Sequence, residues 1–118
     1  MPALAISTMS LRGRRDLKQF IDLAEKLQVG GIELGTDAHW PDAMSSEDTS
    51  VVKNAVTRNG WPLNIDYTMK TATLDNFDPA MVQQGISELK ACLTLAKAVG
   101  AESVSVRVGL ISASLPDN

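Results

Sequence analysis

Apolar residues recur along this chain with two periods that take turns, one of two residues and one near 3.6. The clearest instance runs from Leu93 to Gly109. Apolar side chains keep helical spacing as far as Gly100. Val104, Val106 and Val108 then alternate with Ser103, Ser105 and Arg107. A helix stopped by glycine and followed by an alternating strand is one step of a repeating βα protein.

The same step recurs upstream. Leu4 to Met9 reads as a short strand, and Asp16 to Gln28 as a helix with Leu17, Phe20, Ile21, Ala24 and Leu27 on one stripe. Gly31 to Leu34 is a second strand, entered through Gly30 and Gly31. Ser45 or Ser46 caps a second helix with Glu47 and Asp48 in its first turn, where the helix dipole favours acids. Val51, Val52, Ala55 and Val56 form its apolar stripe, and Gly60 ends it. Leu63 to Thr68 is a third strand behind Pro62. Asp78-Pro79 opens a third helix, an N-cap followed by proline at the first helical position. Met81, Val82, Ile86, Leu89, Leu93, Ala96 and Val99 carry its stripe, and Ser103 to Val108 forms the fourth strand. The order βαβαβαβ predicts an α/β fold with a parallel sheet and right-handed crossovers.

Alternation also assigns the two faces of the sheet. One row collects Leu4, Ile6, Ile32, Leu34, Leu63, Ile65, Tyr67, Val104, Val106 and Val108, and belongs under the helices. The other collects Ala5, Ser7, Gly31, Glu33, Asn64, Asp66, Ser103, Ser105 and Arg107. A doubly wound sheet is covered on both faces and needs both to be apolar. Here one row is polar, so helices on one side only and a sheet curved toward a (β/α) barrel fit better.

Composition narrows the function classes. The 118 residues fit one domain, 1–118, and the net charge of −3 offers no phosphate-binding stripe, so nucleic acid is not an expected partner. Arg12, Arg14 and Arg15 are the one basic cluster and read as a solvated loop or first helical turn. No apolar run approaches the ~18 residues that read as a membrane span, and no charged-then-apolar leader is present. The expected location is cytoplasmic, with no membrane partner. The single Cys92 lies in a helical pattern and reads as a buried structural thiol.

Candidate chemistry concentrates on the polar row. Glu33, Asp66 and Arg107 stand toward the carboxyl ends of their strands, the end where α/β barrels place ligand chemistry. As a site, the carboxylates would bind ligand hydroxyls and Arg107 would hold a carboxylate or phosphate in a forked geometry. As structure, the three would form an ion-pair cluster filling a polar interior. His39 and Trp40 follow the second strand, where an indole can stack on a ligand ring or simply anchor a loop. One histidine alone makes no metal site. Trp61 reads as a packing residue at the opposite end. Asp75, Asn76 and Asp78 lack the spacing and glycine of a calcium loop, and no G-x-G-x-x-G opens a helix.

Three segments carry a family resemblance. Leu23-Ala24-Glu25-Lys26-Leu27 followed by Gly31-Ile32-Glu33-Leu34 resembles the second-strand signature of the xylose isomerase-like TIM barrels, the superfamily of the sugar phosphate isomerase/epimerase group and the endonuclease IV branch. Leu95 to Ala101, continuing through Val104-Ser105-Val106-Arg107-Val108-Gly109, is similar to the fourth-strand signature, and Leu4-Ala5-Ile6-Ser7-Thr8 to the first. Gln28 stands where the family has a helix-ending glycine, Arg107 where it often has histidine, and Asp66 where the endonuclease branch has a third-strand histidine. These departures disfavour the zinc nuclease.

The resemblance covers nearly all of the chain and the N-terminal half of a (β/α)8 barrel, which takes about 250 residues when complete. It implies isomerisation or epimerisation of a sugar or sugar phosphate by a proton shift next to a carbonyl. It also implies a divalent metal (Mn, Mg, Co or Zn) held on strands five to eight, so this chain alone is expected to bind no cofactor. The loop-like tail from Leu110 to Asn118 favours a truncated reading frame. The alternative is a non-catalytic half-barrel that binds or assembles, with a homodimer formed through its open strand edges.

Overall fold

The computed structural model describes residues 4–8, 16–35, 44–67 and 78–106. Strands β1 (Ala5–Ser7), β2 (Gly31–Gly35), β3 (Leu63–Tyr67) and β4 (Ser103–Val106) alternate with helices α1 (Leu17–Lys26), α2 (Ser46–Asn59) and α3 (Pro79–Val99). The strands pair in parallel in the order β1-β2-β3-β4, so neighbours in sequence are neighbours in the sheet.

Local chemistry sets the helix ends. The Asp16 carboxylate caps α1 by accepting from the Gln19 N–H. Ser45 rather than Ser46 caps α2, through a reciprocal box with Asp48: each side chain accepts from the other residue's backbone N–H at 3.0 Å. Asp78 caps α3 with Pro79 behind it. Gly60 and Gly100 end α2 and α3 in the left-handed conformation, at φ 62° and 77°. Gln28 adopts φ 52° just after α1 and does without a side-chain-free backbone what the two glycines do.

One core lies between the sheet and the helices. Ile32, Leu34, Leu63, Ile65 and Tyr67 from the strands meet Leu17, Phe20, Ile21 and Ala24 of α1, Val52 and Ala55 of α2, and Cys92, Leu95, Ala96 and Val99 of α3. Ile6, Val104 and Val106 are partly buried against the same core. Among the described residues no helix covers the opposite row, where Glu33, Asn64 and Asp66 are half-buried. The helices therefore cover one side of the sheet, as the alternation predicts. Trp61 is buried at the lower end and donates from Nε1 to the Val29 carbonyl at 2.9 Å.

Three leucines depart from expectation. Leu27 is 57% exposed because α1 has already ended at Lys26 and Leu27 is its cap. Leu93 is 50% exposed because α3 turns Cys92, Leu95, Ala96 and Val99 inward, which leaves Leu93 a ~100° step away on the outside. Leu4 is 75% exposed, one residue before β1 begins at Ala5. The third and fourth strands match their expected starts. Thr68, Val108 and the tail from Leu110 lie outside the described residues.

Candidate functional site

Parallel register sorts the polar row into levels. Ala5 pairs with Gly31 at the lowest; Ser7, Glu33, Asn64 and Ser103 share the next; Gly35, Asp66 and Ser105 share the third. Glu33 and Asp66 are thus one side-chain level apart on neighbouring strands rather than side by side.

Asn64 is the hub of this face. Its Nδ2 donates to Glu33 Oε2 at 2.8 Å. Ser103 donates its hydroxyl to Asn64 Oδ1 at 2.9 Å. Ser105 Oγ lies 3.2 Å from Nδ2 and 3.3 Å from Oδ1, bridging the amide from the level above. An amide offers two donors and one two-lone-pair acceptor, and these contacts use all of them. Among the described residues Glu33 is engaged only through Oε2, which leaves Oε1 as an acceptor. The resulting patch of carboxylate, amide and hydroxyls is held by strands rather than loops.

The upper end of the first two strands is closed by Thr8. Its buried Oγ1 accepts from the Gly35 N–H at 2.8 Å, one position beyond the β1–β2 ladder. On the helix side, Tyr67 donates to Glu88 Oε2 at 3.3 Å. Burial, followed by the Glu88 carboxylate, pushes its phenol above the usual range. Burial also pushes the Cys92 thiol up, in keeping with an inert core residue. Both face away from the polar row.

Of the residues singled out from sequence, Glu33 and Asp66 stand on the uncovered face, while His39, Trp40 and Arg107 lie outside the described residues. Alternation puts Asn64, Ser103 and Ser105 on the polar row without marking them as a site. The signal available was that an amide faces a carboxylate and two serines across adjacent strands. Among the described residues no group of three or more His, Cys, Asp or Glu is placed to hold a metal ion. The resemblance places its divalent metal on strands five to eight and not on these residues; here Glu33 serves Asn64, and Asp66 stands a level above.

Below the polar patch the uncovered face dips into a hollow of about 250 Å³ at the amino ends of the strands. Leu4, Ala5 and Gly31 line it together with Glu33, Asn64 and Glu102, so it is continuous with the polar patch. No described helix is long and apolar enough to cross a membrane.

No protein-family model and no curated protein matches the sequence. Among solved structures, the chain is similar to a D-psicose 3-epimerase crystallised in the presence of D-fructose. The TM-score is 0.79 at 17% identity, over 99% of this chain and 42% of that one. The chain thus spans well under half the length of the epimerase. Its fold, a parallel sheet of four strands alternating with helices, is that of about half of a TIM barrel.

Proposed function

We propose that this chain supplies the first four strands of a sugar isomerase/epimerase-like barrel and that its uncovered face binds a sugar or sugar phosphate. The observation that carries this reading is the Asn64 hub, which fixes Glu33, Ser103 and Ser105 on rigid strands with Glu33 Oε1 left to accept. A polyhydroxylated ligand is matched by fixed acceptors and hydroxyls that can both give and take a proton. The likeness to a sugar epimerase supports the ligand class. In the full fold, His39, Trp40 and Arg107 would add to this face a stacking surface and a cation for an anionic group. Turnover, a proton shift next to a carbonyl, belongs to a complete barrel with its divalent metal. With no paired cysteines the protein suits the cytoplasm.

Amide NMR titration with D-fructose, D-psicose and their phosphates tests the reading. Shifts centred on Glu33, Asn64 and Ser103, lost in Glu33→Gln, are expected. Shifts elsewhere, or none up to the solubility of the sugars, would overturn it. Metal-dependent epimerisation by the 118-residue chain alone would overturn the division of labour between the two halves.

A second reading rests on the sheet itself. Among the described residues β1 and β4 stand at its two ends, each with one unpaired edge. An assembly module closed by another sheet, in its simplest form a second copy, would use both edges at once.

A further inference from the structure

The sequence contains one Asn-Gly step, Asn59-Gly60, and the fold sets it at the joint between α2 and β3. Asparagine before glycine is the least hindered setting for attack of a backbone nitrogen on the preceding side-chain amide, since glycine has no Cβ to crowd that nitrogen. Asn54, Asn64 and Asn76 are instead followed by Ala55, Ile65 and Phe77. Asn59 and Gly60 are both exposed, and a Cβ built on Gly60 would meet nothing within 4 Å, so water reaches the step from outside.

Hydrogen bonds of the last helical turn hold the step unreactive. Asn59 is the final residue of α2, and helical backbone keeps its Cγ away from the Gly60 nitrogen. Its Nδ2 donates to the Ala55 carbonyl at 2.9 Å. The Gly60 N–H donates to the Val56 carbonyl, which also accepts the Trp61 N–H at 3.1 Å. The nucleophile and the amide it would attack are thus each bound to the preceding turn. Helix ends are also the parts that open at least cost.

We propose that Asn59 is a deamidation site that folded α2 keeps shut and that opening of its last turn exposes. In the open turn base removes the Gly60 amide proton, and the nitrogen attacks Asn59 Cγ. A C–N bond forms, ammonia leaves with a proton taken from water, and a five-membered imide remains. Water then adds to one of the two imide carbonyls and leaves aspartate or isoaspartate at position 59. Either product works against closure. The donor to the Ala55 carbonyl is gone, and a negative charge stands at the carboxyl end of α2, where the dipole disfavours it. Isoaspartate also lengthens the main chain by a methylene just before Trp61 and Pro62. The Trp61 indole is buried on the Val29 carbonyl, and the Pro62 carbonyl holds the Ile32 N–H, so the added length falls where β3 is fixed against β2. The proposal involves no ligand and is independent of sugar binding.

Peptide mapping by mass spectrometry tests it on the whole chain, following exchange of NH2 for OH at Asn59 in mildly alkaline buffer. The native rate is expected to lie at least about tenfold below the rate in guanidinium chloride, the factor that ~1.4 kcal/mol of opening gives. Trp61→Phe removes the indole bond behind the turn and should raise the native rate up to about fivefold, the equivalent of ~1 kcal/mol. Glu25→Gln, which breaks the ion pair from α1 to Arg58 in that turn, takes its place if Trp61→Phe does not fold. Hydrogen exchange at the Gly60 and Trp61 amides should be faster than at Ile65 in the sheet. The deamidated chain, separated by its added charge, should melt below the wild type. Equal native and denatured rates, an Asn59 that stays intact in guanidinium chloride, or a variant rate equal to that of the wild type would each overturn the proposal. So would exchange at Gly60 as slow as at Ile65, or a deamidated chain with the wild-type melting temperature.

Discussion

Asn64 Nδ2 donates to Glu33 Oε2 at 2.8 Å across β2 and β3, and the same amide receives the Ser103 hydroxyl from β4. Three strands are thereby joined through side chains on the face that no helix covers. Because the contacts use the whole amide, Asn64 acts as a spacer that orients its neighbours and leaves ligand contact to Glu33 and the serines.

Replacing Asn64 tests that role. Asn64→Ala strips a half-buried carboxylate and a serine of their partner and is expected to cost about 1–3 kcal/mol. Asn64→Asp sets like charges face to face and should cost more at low salt, with part of the loss recovered in 1 M salt by screening. Urea unfolding at two ionic strengths separates the two. An Asn64→Asp protein as stable as the wild type at low salt would refute the hub.

Gly31 has little room for a side chain. An added Cβ would meet the Pro62 carbonyl at 3.0 Å and its Cγ at 3.1 Å, and that same carbonyl accepts the Ile32 N–H at 3.1 Å. Gly31→Ala requires Pro62 to give by a few tenths of an ångström and is expected to destabilise by about 1–3 kcal/mol, as overpacking does. A thermal melt shows it directly.

Gln28 is the converse case. At φ 52° a side chain is a burden, and Gln28→Gly is expected to stabilise by about 0.5–1 kcal/mol. The urea midpoint should rise with no change in slope. An unchanged midpoint would mean that the chain carries this conformation at no cost.

Tyr67 and Cys92 make the fold sensitive to alkali. Burial holds both groups protonated in the folded protein beyond the pH at which the unfolded chain releases its protons. The folded state then binds more protons than the unfolded one, so stability falls as pH rises past about 9–10, by up to ~1.4 kcal/mol per pH unit for each group. Tyr67→Phe removes one share of this slope and gives up the bond to Glu88, about 1 kcal/mol at neutral pH. Melts from pH 7 to 11 check both effects. A Tyr67→Phe protein with the wild-type slope would place the sensitivity elsewhere.

Periodicity made the scaffold legible because burial follows it closely. Ile32, Leu34, Leu63, Ile65 and Tyr67 alternate in sequence and all lie in the core, and Asp78-Pro79 and Gly100 bound α3 where they stand. Leu27 and Leu93 kept a plausible spacing yet face solvent, since a stripe in sequence does not say where a helix stops or how far it is rolled. The site was half legible. Alternation puts Glu33 and Asp66 on one face, but their heights depend on register, which pairs Glu33 with Asn64 and Asp66 with Gly35. Neither hydrophobicity nor turn chemistry carries that offset, and so the amide between the strands went unassigned.

The first strand has three residues, too few for a ladder to hold against slippage on its own. It is pinned at both ends by bonds outside the ladder: the Gly30 N–H to the Leu4 carbonyl at 2.6 Å below, and the Gly35 N–H to Thr8 Oγ1 above. Sliding β1 along β2 by two residues, the smallest step that keeps Ile6 on its side, would forfeit both together. The outermost strand is thereby fixed in height before anything pairs with its free edge, so a newcomer to that edge meets a template with only one setting.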